Sequence, residues 1–358
     1  MYQRQLLRRL ADGAGDLAPA RAALDEGPVV AIVGRPGLGD DSRLAEAVLA
    51  FAAGLPDATL LPVTRRGNAY GAIDMGMDPG MHPGRVPAET GGRDAHGIVD
   101  GLLAGEIRGL VLLGSDPAAD YVEPARGARA VEAAEFTVAI DLFLSASASR
   151  ADVVLPALGF AETEGTVTNL EGRVQKVNRL LPGPGSARPA HEILEDLARR
   201  LGGSIGAVSA EDLAAEIAEQ VPAYAGITWE ALSWGDGKEG IVAPGPAGSQ
   251  AFTHGLRDDP TVPVGRDLVL HLARVLYDHG TLAQAGPSLA KLAPEPAAYL
   301  HPEDATRFGV AEGAVVRITG SDGAVELPAH FDPSLAAGTV YLPRTVGASV
   351  GSGVEIGV

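Results

Sequence analysis

Cysteine is absent from all 358 residues. Without a thiolate, these residues form no disulfide, zinc–thiolate site, catalytic thiol or cysteine-ligated iron–sulfur cluster. Lysine is nearly absent too, limited to Lys176, Lys238 and Lys291, so arginine supplies almost all the positive charge. The 28 basic residues are outnumbered by 46 acidic ones, for a net charge of −18. Duplex nucleic acid needs a basic face on its partner, and nothing here supplies one. Long apolar runs are missing: Leu110–Leu113 and Val153–Leu155 fall far short of the roughly 20 residues of a membrane helix. The N-terminal MYQRQLLRRLADG lacks the apolar core of a secretion signal. The expectation is a cytoplasmic chain with no nucleic-acid partner and no direct membrane insertion.

What is present alternates. Pro28–Gly34 is an apolar run of the kind buried in a parallel sheet, followed by a helical pattern from Ser42 to Ala53 and a second strand at Ala58–Val63. After a glycine- and proline-rich stretch from Arg65 to Gly97, whose three methionines favour order over a linker, the alternation resumes. Helix 95–103, strand 109–113, turn Gly114-Ser-Asp-Pro117, helix 124–134, strand 136–140 and a short strand at 153–155 describe a parallel sheet with helices on its faces. Residues 156–189 read as irregular. Ser209-Ala-Glu-Asp212 has capping-box spacing before a helix carrying Leu213, Ile217 and Val221 on one face. A glycine-rich stretch at 235–265 reads as a linker. The C-terminal end changes class: a short helix at Pro302–Phe308 precedes β-branched runs at 314–319, 324–331 and 338–342, the first two joined by a tight turn.

Several motifs fail on their own chemistry. Gly34-Arg-Pro-Gly37-Leu-Gly39 follows a strand but has neither the dinucleotide spacing nor a Walker lysine, and reads as a plain turn. Gly347-Ala-Ser349-Val-Gly351 matches a nucleophile elbow, yet no histidine follows it. The eight histidines are scattered and lack helix-face ligand spacing. The most informative stretch is the strand Ala151–Pro156 with Glu162, Gly165-Thr166, Asn169 and Glu171-Gly-Arg173 beyond it. It delivers carboxylates, an amide and a guanidinium beyond a strand end, where open α/β sheets bind ligands. The same residues also suit an internally paired loop that braces the fold.

At these residues a family comes into view. ADVVLPALGFAETEGTVTNLEGRVQ resembles the signature loop of the molybdopterin oxidoreductase superfamily, and the segment from PSLAKLAPEP to AAGTVYLP resembles its C-terminal dinucleotide-binding barrel. RRGNAYGAIDMGMDPGMHPGR with GLVLLGSDP resembles the large iron–sulfur subunits, type G, of NADH-quinone oxidoreductase (respiratory complex I). The resemblance implies an α/β protein with a parallel-sheet, Rossmann-like body over 28–234, a linking segment over 235–288 and a double-psi β-barrel over 289–346. Ser115, Asp116, Glu162, Thr166, Asn169 and Arg173 fall at ancestral cofactor-site positions, and no catalytic or metal-ligating residue is assigned. The implied role is a structural, non-catalytic part of the peripheral arm, partnered by its other subunits and held peripherally at the inner membrane. The alternative is the cofactor-binding half of a formate dehydrogenase-like enzyme with a bis-molybdopterin guanine dinucleotide.

In the first reading the chain carries no cofactor, and iron–sulfur clusters reside in an upstream part or in partner subunits. Two arguments support that expectation. Asp116 would place negative charge where a pyrophosphate lies, and Arg173 would be held by Glu162 or Glu171 in a partly buried pair. Breaking such a pair costs about 3–5 kcal/mol.

Overall fold

In a computed structural model of the chain, structure is described for residues 7, 9–13, 15–34, 43–63, 66–121, 123–206, 208–244, 268–273, 275–277, 279–320, 323–347, 350 and 354–357. The loop after Gly34, Ser349 of the elbow motif, the 321–322 turn, His254 and most of the glycine-rich 235–265 stretch lie outside the described residues. Two compact units result: one of Thr64–Tyr121 and Arg126–Ser249, the other of Met1–Val63, Val122–Ala125 and Gln250–Val358.

At the start of the chain, β1 (Val29–Gly34) and β2 (Ala58–Val63) pair in parallel around helix Arg43–Ala53. The short β3 (Met81–His82) and β4 (Val86–Pro87) then form a small ladder inside the glycine-rich stretch, after helix Ala69–Asp74, so that stretch is an ordered element. Met75 packs against a buried cluster around Val174, whereas Met77 is exposed.

β5 (Gly109–Leu113), β6 (Phe136–Asp141) and β7 (Val153–Pro156) form a parallel sheet in that order. Leu112 and Ala139 point to one face and pack with Val131 of helix Pro124–Ala133 and with Ala148. Helix Ala95–Leu103 begins where the Asp94 carboxylate accepts a bond from Gly97 N at 2.8 Å, an N-cap that satisfies an otherwise orphaned donor.

The stretch read as irregular contains a hairpin. β8 (Gly165–Thr168) and β9 (Arg173–Val177) pair antiparallel, and β10 (Ile241–Val242) adds to β9. The hairpin's inner face packs Val174 with Val221, Tyr224, Ile227 and Leu232. Ser209 and Asp212 form the expected capping box at the head of helix Ala210–Gln220.

A buried carboxylate closes the preceding helix, Ala190–Arg200. Glu195 accepts from Arg199 Nε at 2.5 Å, Ile205 N at 2.8 Å and Ser204 Oγ at 3.0 Å, tying the following loop back onto the helix. The Arg199 guanidinium first, then the Ile205 amide, hold its pKa down to about 2. A depressed carboxylate stabilises the fold above its unfolded pKa, and that contribution is lost as pH falls through the folded one. Glu195→Gln is therefore expected to melt several degrees below the parent at neutral pH. The gap should narrow as pH is lowered from about 5 towards about 2, and melting curves across that range check it.

The C-terminal end supplies one six-stranded sheet: β11 (Val269–Ala273), β12 (Ala298–Leu300), β13 (Val315–Thr319), β14 (Ala324–Phe331), β15 (Thr339–Pro343) and β16 (Glu355–Gly357), in spatial order β11-β15-β12-β14-β13-β16. Strands from either side of 289–346 thus join it. Next to the two edge strands, Leu268 and Val354 exchange both backbone hydrogen bonds at 3.2 Å. The sheet therefore curls until its edges meet, and apolar alternation explains why. Leu300, Val316, Ile318, Ala329, Val340 and Leu342 are fully buried on its concave side, each large side chain contributing roughly 1.5–3 kcal/mol of burial. Helix Pro302–Phe308 stops at Gly309, whose φ of 69° is the left-handed cap that glycine adopts without strain. Among the described residues, no helix is long and apolar enough to cross a membrane.

Candidate functional site

The sequence-derived candidates fall into two sets: the turn after β5, and the hairpin β8–β9 with the loop leading to it.

At the end of β5 the chain turns through Gly114, with φ of 55°, into Ser115 and Asp116. Asp116 is only 8% exposed, and a buried carboxylate persists only where donors meet it. It accepts from Ser147 Oγ at 2.6 Å, Ser147 N at 2.9 Å and Ala146 N at 3.3 Å. Ser147 Oγ in turn accepts from Ala118 N at 2.9 Å. Ser145 Oγ donates to Asp141 at the end of β6 at 3.0 Å. The turns after β5 and β6 are thereby tied together by side chains. The expectation that Asp116 places its charge at a nucleotide site is corrected: its carboxylate is turned into the protein. Ser115 stays exposed, with no protein partner for its hydroxyl among the described residues.

In the hairpin, Thr166 lies opposite Lys176. Asn169 builds the turn: its Oδ1 accepts from Glu171 N and Arg173 N, both at 2.9 Å, and its backbone brackets the turn through Gly172 N and Arg173 O. Gly172 sits at φ of 80°, which a side chain would strain. Arg173 grips Glu171 with Nε at 2.9 Å and Nη2 at 3.0 Å, and donates Nη1 to Gly240 O at 2.9 Å. The side-chain bond between them lowers the pKa of Glu171 and raises that of Arg173. Glu162 does not join the pair: its Oε2 accepts from Gly159 N at 2.9 Å in its own turn. The Arg173 and Glu171 side chains are 31% and 57% exposed, so water screens the pair and the expected large penalty for breaking it is corrected. Arg173→Ala is expected to shift the melting temperature by no more than about 2 °C, read from a thermal melt.

The structure therefore brings Asn169 and Arg173 together. Among the described residues, no hydrogen bond or ion pair joins Ser115 or Asp116 to the hairpin. It also shows a polar group that sequence reading missed. Tyr224 OH lies 2.7 Å from Thr168 Oγ1 and 2.8 Å from Asp74 Oδ2, and Arg85 Nε reaches Asp74 Oδ1 at 2.5 Å. Asn68 Oδ1 accepts from Thr168 N at 2.8 Å. Burial, more than the neighbouring Asp74, pushes the Tyr224 phenol up to about 12. These partners lie up to 150 residues apart, and no local pattern announces them. The hairpin's signal, which the reading of 156–189 as irregular passed over, lies in the β-branched Thr166-Val-Thr168 and Val174 on either side of Asn-Leu-Glu-Gly.

Chemically, the hydroxyls of Ser115 and Thr166 and the side-chain amide N–H groups of Asn169 are donors without a protein partner among the described residues. Donors of this kind suit a ligand rich in acceptors, as a phosphate- and pterin-bearing group is.

Comparison with known proteins agrees in character. Residues 63–200 match the molybdopterin oxidoreductase family, and residues 268–357 match the molybdopterin dinucleotide binding domain. The NADPH-Fe(3+) oxidoreductase subunit alpha of Geobacter sulfurreducens is 31% identical over 300 residues, covering 79% of this chain and 34% of that protein. The F420-dependent formate dehydrogenase 2 subunit alpha of Methanococcus maripaludis is 27% identical, covering 81% and 48%. The G-type subunit of NADH-quinone oxidoreductase from Mycobacterium bovis is 30% identical, covering 94% and 44%. The chain thus spans a third to a half of the length of these relatives. In fold it resembles acetylene hydratase from Pelobacter acetylenicus, with a TM-score of 0.57 at 17% identity over 71% of this chain and 40% of that one.

The expectation that the chain carries no cofactor is overturned by the second of the family matches, which is to a cofactor-binding domain. Of its two physical supports, the Arg173–Glu171 pair is present, while the Asp116 carboxylate is bonded inward to Ser147 and does not face a ligand as expected. The chain is built from a molybdopterin oxidoreductase domain over 63–200 followed by a molybdopterin dinucleotide-binding domain over 268–357.

Proposed function

We propose that this chain is the dinucleotide-holding part of a molybdopterin-type oxidoreductase that works within a multi-subunit complex. One observation carries the reading. The family match over 268–357 coincides with the curled sheet, whose closing Leu268–Val354 bridge and last strand mark the same limits. In this reading the sheet is a double-psi β-barrel of the molybdopterin dinucleotide-binding kind.

When bound, the group supplies metal-centred redox chemistry. The chain's own residues bind and orient. Ser115 Oγ, Thr166 Oγ1 and the Asn169 side-chain amide would donate to acceptors of such a group. The Asn169 turn fixes where those donors lie, and the Arg173–Glu171 pair, bonded to Gly240 O, braces that turn. Glu162 stiffens the approach to the hairpin. Asp116 contributes by being buried, leaving Ser115 as the polar group at the end of β5.

One observation supports a finer reading of the complex: the alignment with the G-type relative from Mycobacterium bovis covers 94% of this chain. On that second reading the chain serves in a respiratory NADH:quinone assembly, on the cytoplasmic face of the inner membrane. Partner subunits there hold the iron–sulfur clusters that these residues cannot ligate. Isolation with NADH-oxidising subunits supports this assignment, and isolation with formate- or nitrate-acting subunits moves it elsewhere in the family.

The binding claim is tested with Ser115→Ala and Thr166→Val. Neither hydroxyl has a protein partner among the described residues, so both variants are expected to melt like the parent. Each should retain several-fold less pterin per chain after gel filtration, read by fluorescence of the oxidised pterin. Full retention in both would remove these residues from the site.

A further inference from the structure

The segment after Arg65 and the β8–β9 hairpin are far apart in sequence, yet side chains lock them together. The polarity of the lock follows from donor counting. A phenol has one proton. Tyr224 OH donates to the Asp74 carboxylate at 2.8 Å, so at 2.7 Å it must accept from Thr168 Oγ1. Thr168 is therefore held twice: its hydroxyl donates to Tyr224, and its amide donates to Asn68 Oδ1 at 2.8 Å. Thr168 and Tyr224 are 3% and 4% exposed.

The far end is anchored by Arg85, which pairs with Asp74 and sits over the Tyr70 ring at 5.7 Å. Arg85 adopts φ of 58°, a conformation costly for a side-chain-bearing residue and kept only where its surroundings fix it. Gly71 completes the arrangement. A Cβ there would lie 2.2 Å from Asn68 Oδ1 and 3.2 Å from Thr168 Oγ1, so glycine leaves room for the Asn68 amide to reach Thr168. Next to Thr168 comes Asn169, whose Oδ1 builds the turn, and two residues before it is Thr166.

We propose that Tyr224 and Asp74, acting through Thr168, are positioning residues that set where the Thr166 hydroxyl and Asn169 amide are presented to the cofactor. This rests on the dinucleotide-holding role above. A core brace would satisfy the same groups anywhere along β8. Here it grips the residue directly before the turn, on both its amide and its hydroxyl.

The test uses the chain purified with the subunits that accompany it. Tyr224→Phe removes one oxygen and keeps the ring, and Thr168→Val keeps the shape without the donor. Thr168→Ser keeps the donor. Hydrogen exchange of the amides in 165–173 is expected to quicken on the order of tenfold in the first two variants. Exchange in Val315–Thr319 of the curled sheet should be unchanged. Pterin per chain should fall several-fold in Tyr224→Phe and Thr168→Val, measured well below their melting temperatures, and should return in Thr168→Ser. If the parent holds pterin and both variants keep it in full, the positioning role is overturned while the binding role stands. If the parent itself holds none, the binding role fails and the lock is a structural brace only. Equal pterin loss in Thr168→Ser and Thr168→Val would also overturn the proposal, because the hydroxyl would then be irrelevant.

Discussion

Asp116→Ala is expected to destabilise the chain by roughly 2–4 kcal/mol, because it leaves the buried Ser147 N without its acceptor and removes the part-buried bond from Ala146 N. Hydrogen bonds to an ionised acceptor are worth about 1.5–3 kcal/mol each where buried, and the Ser147 hydroxyl can turn to recover only part of the loss. The more discriminating substitution is Asp116→Asn, which keeps the shape and one carbonyl acceptor but removes the charge. If the carboxylate repelled a bound pyrophosphate, this variant would gain cofactor. With the carboxylate directed at Ser147, it is expected to lose stability and gain none. Denaturant unfolding gives the first quantity and pterin fluorescence the second. Higher retention in Asp116→Asn would return the charge to the ligand side.

The second large effect lies in the curled sheet. Leu300 on β12 is fully buried, between the flanking strands β14 and β15. Leu300→Ala removes packing from a layer shared with Val316, Ile318, Val340 and Leu342, and the strands cannot collapse around the void because their hydrogen bonds fix their spacing. A loss of about 2–5 kcal/mol is expected. The sheet closes where Leu268 and Val354 meet, so the damage should spread to both edges. Backbone exchange at Leu268 and Val354 should quicken in this variant, while the β8–β9 hairpin in the other unit keeps its protection. Unchanged exchange at the closing bridge would show that the sheet tolerates the cavity locally.

Much of this architecture was legible because its signals are local. The strands at 29–34, 58–63, 109–113 and 136–141 are largely apolar runs, and the capping box at Ser209 and the cap at Gly309 are written in adjacent residues. The hairpin β8–β9 was passed over because only two of its positions alternate cleanly before the polar turn. The strand β11 lies beside the glycine-rich stretch and was read as part of a connecting segment. At the hairpin, the pairing of Arg173 with Glu171 was legible, but the inward turn of Asp116 was not. Sequence shows that a charge is present, and only the fold shows which way it points. Tyr224, Asp74 and Asn68 illustrate the same limit. Each is an ordinary surface type in its own segment, and their meeting depends on the packing of three separate elements.

The most direct test of the central claim is the cofactor content of the parent protein, isolated with its accompanying subunits from a molybdenum-replete host. Pterin, guanine nucleotide released by acid hydrolysis, and metal by elemental analysis are measured against protein on one preparation. The account predicts guanine nucleotide and pterin together in near-stoichiometric amount, reduced in parallel by Ser115→Ala. A preparation carrying neither, from a host that loads its own molybdenum enzymes, would contradict it.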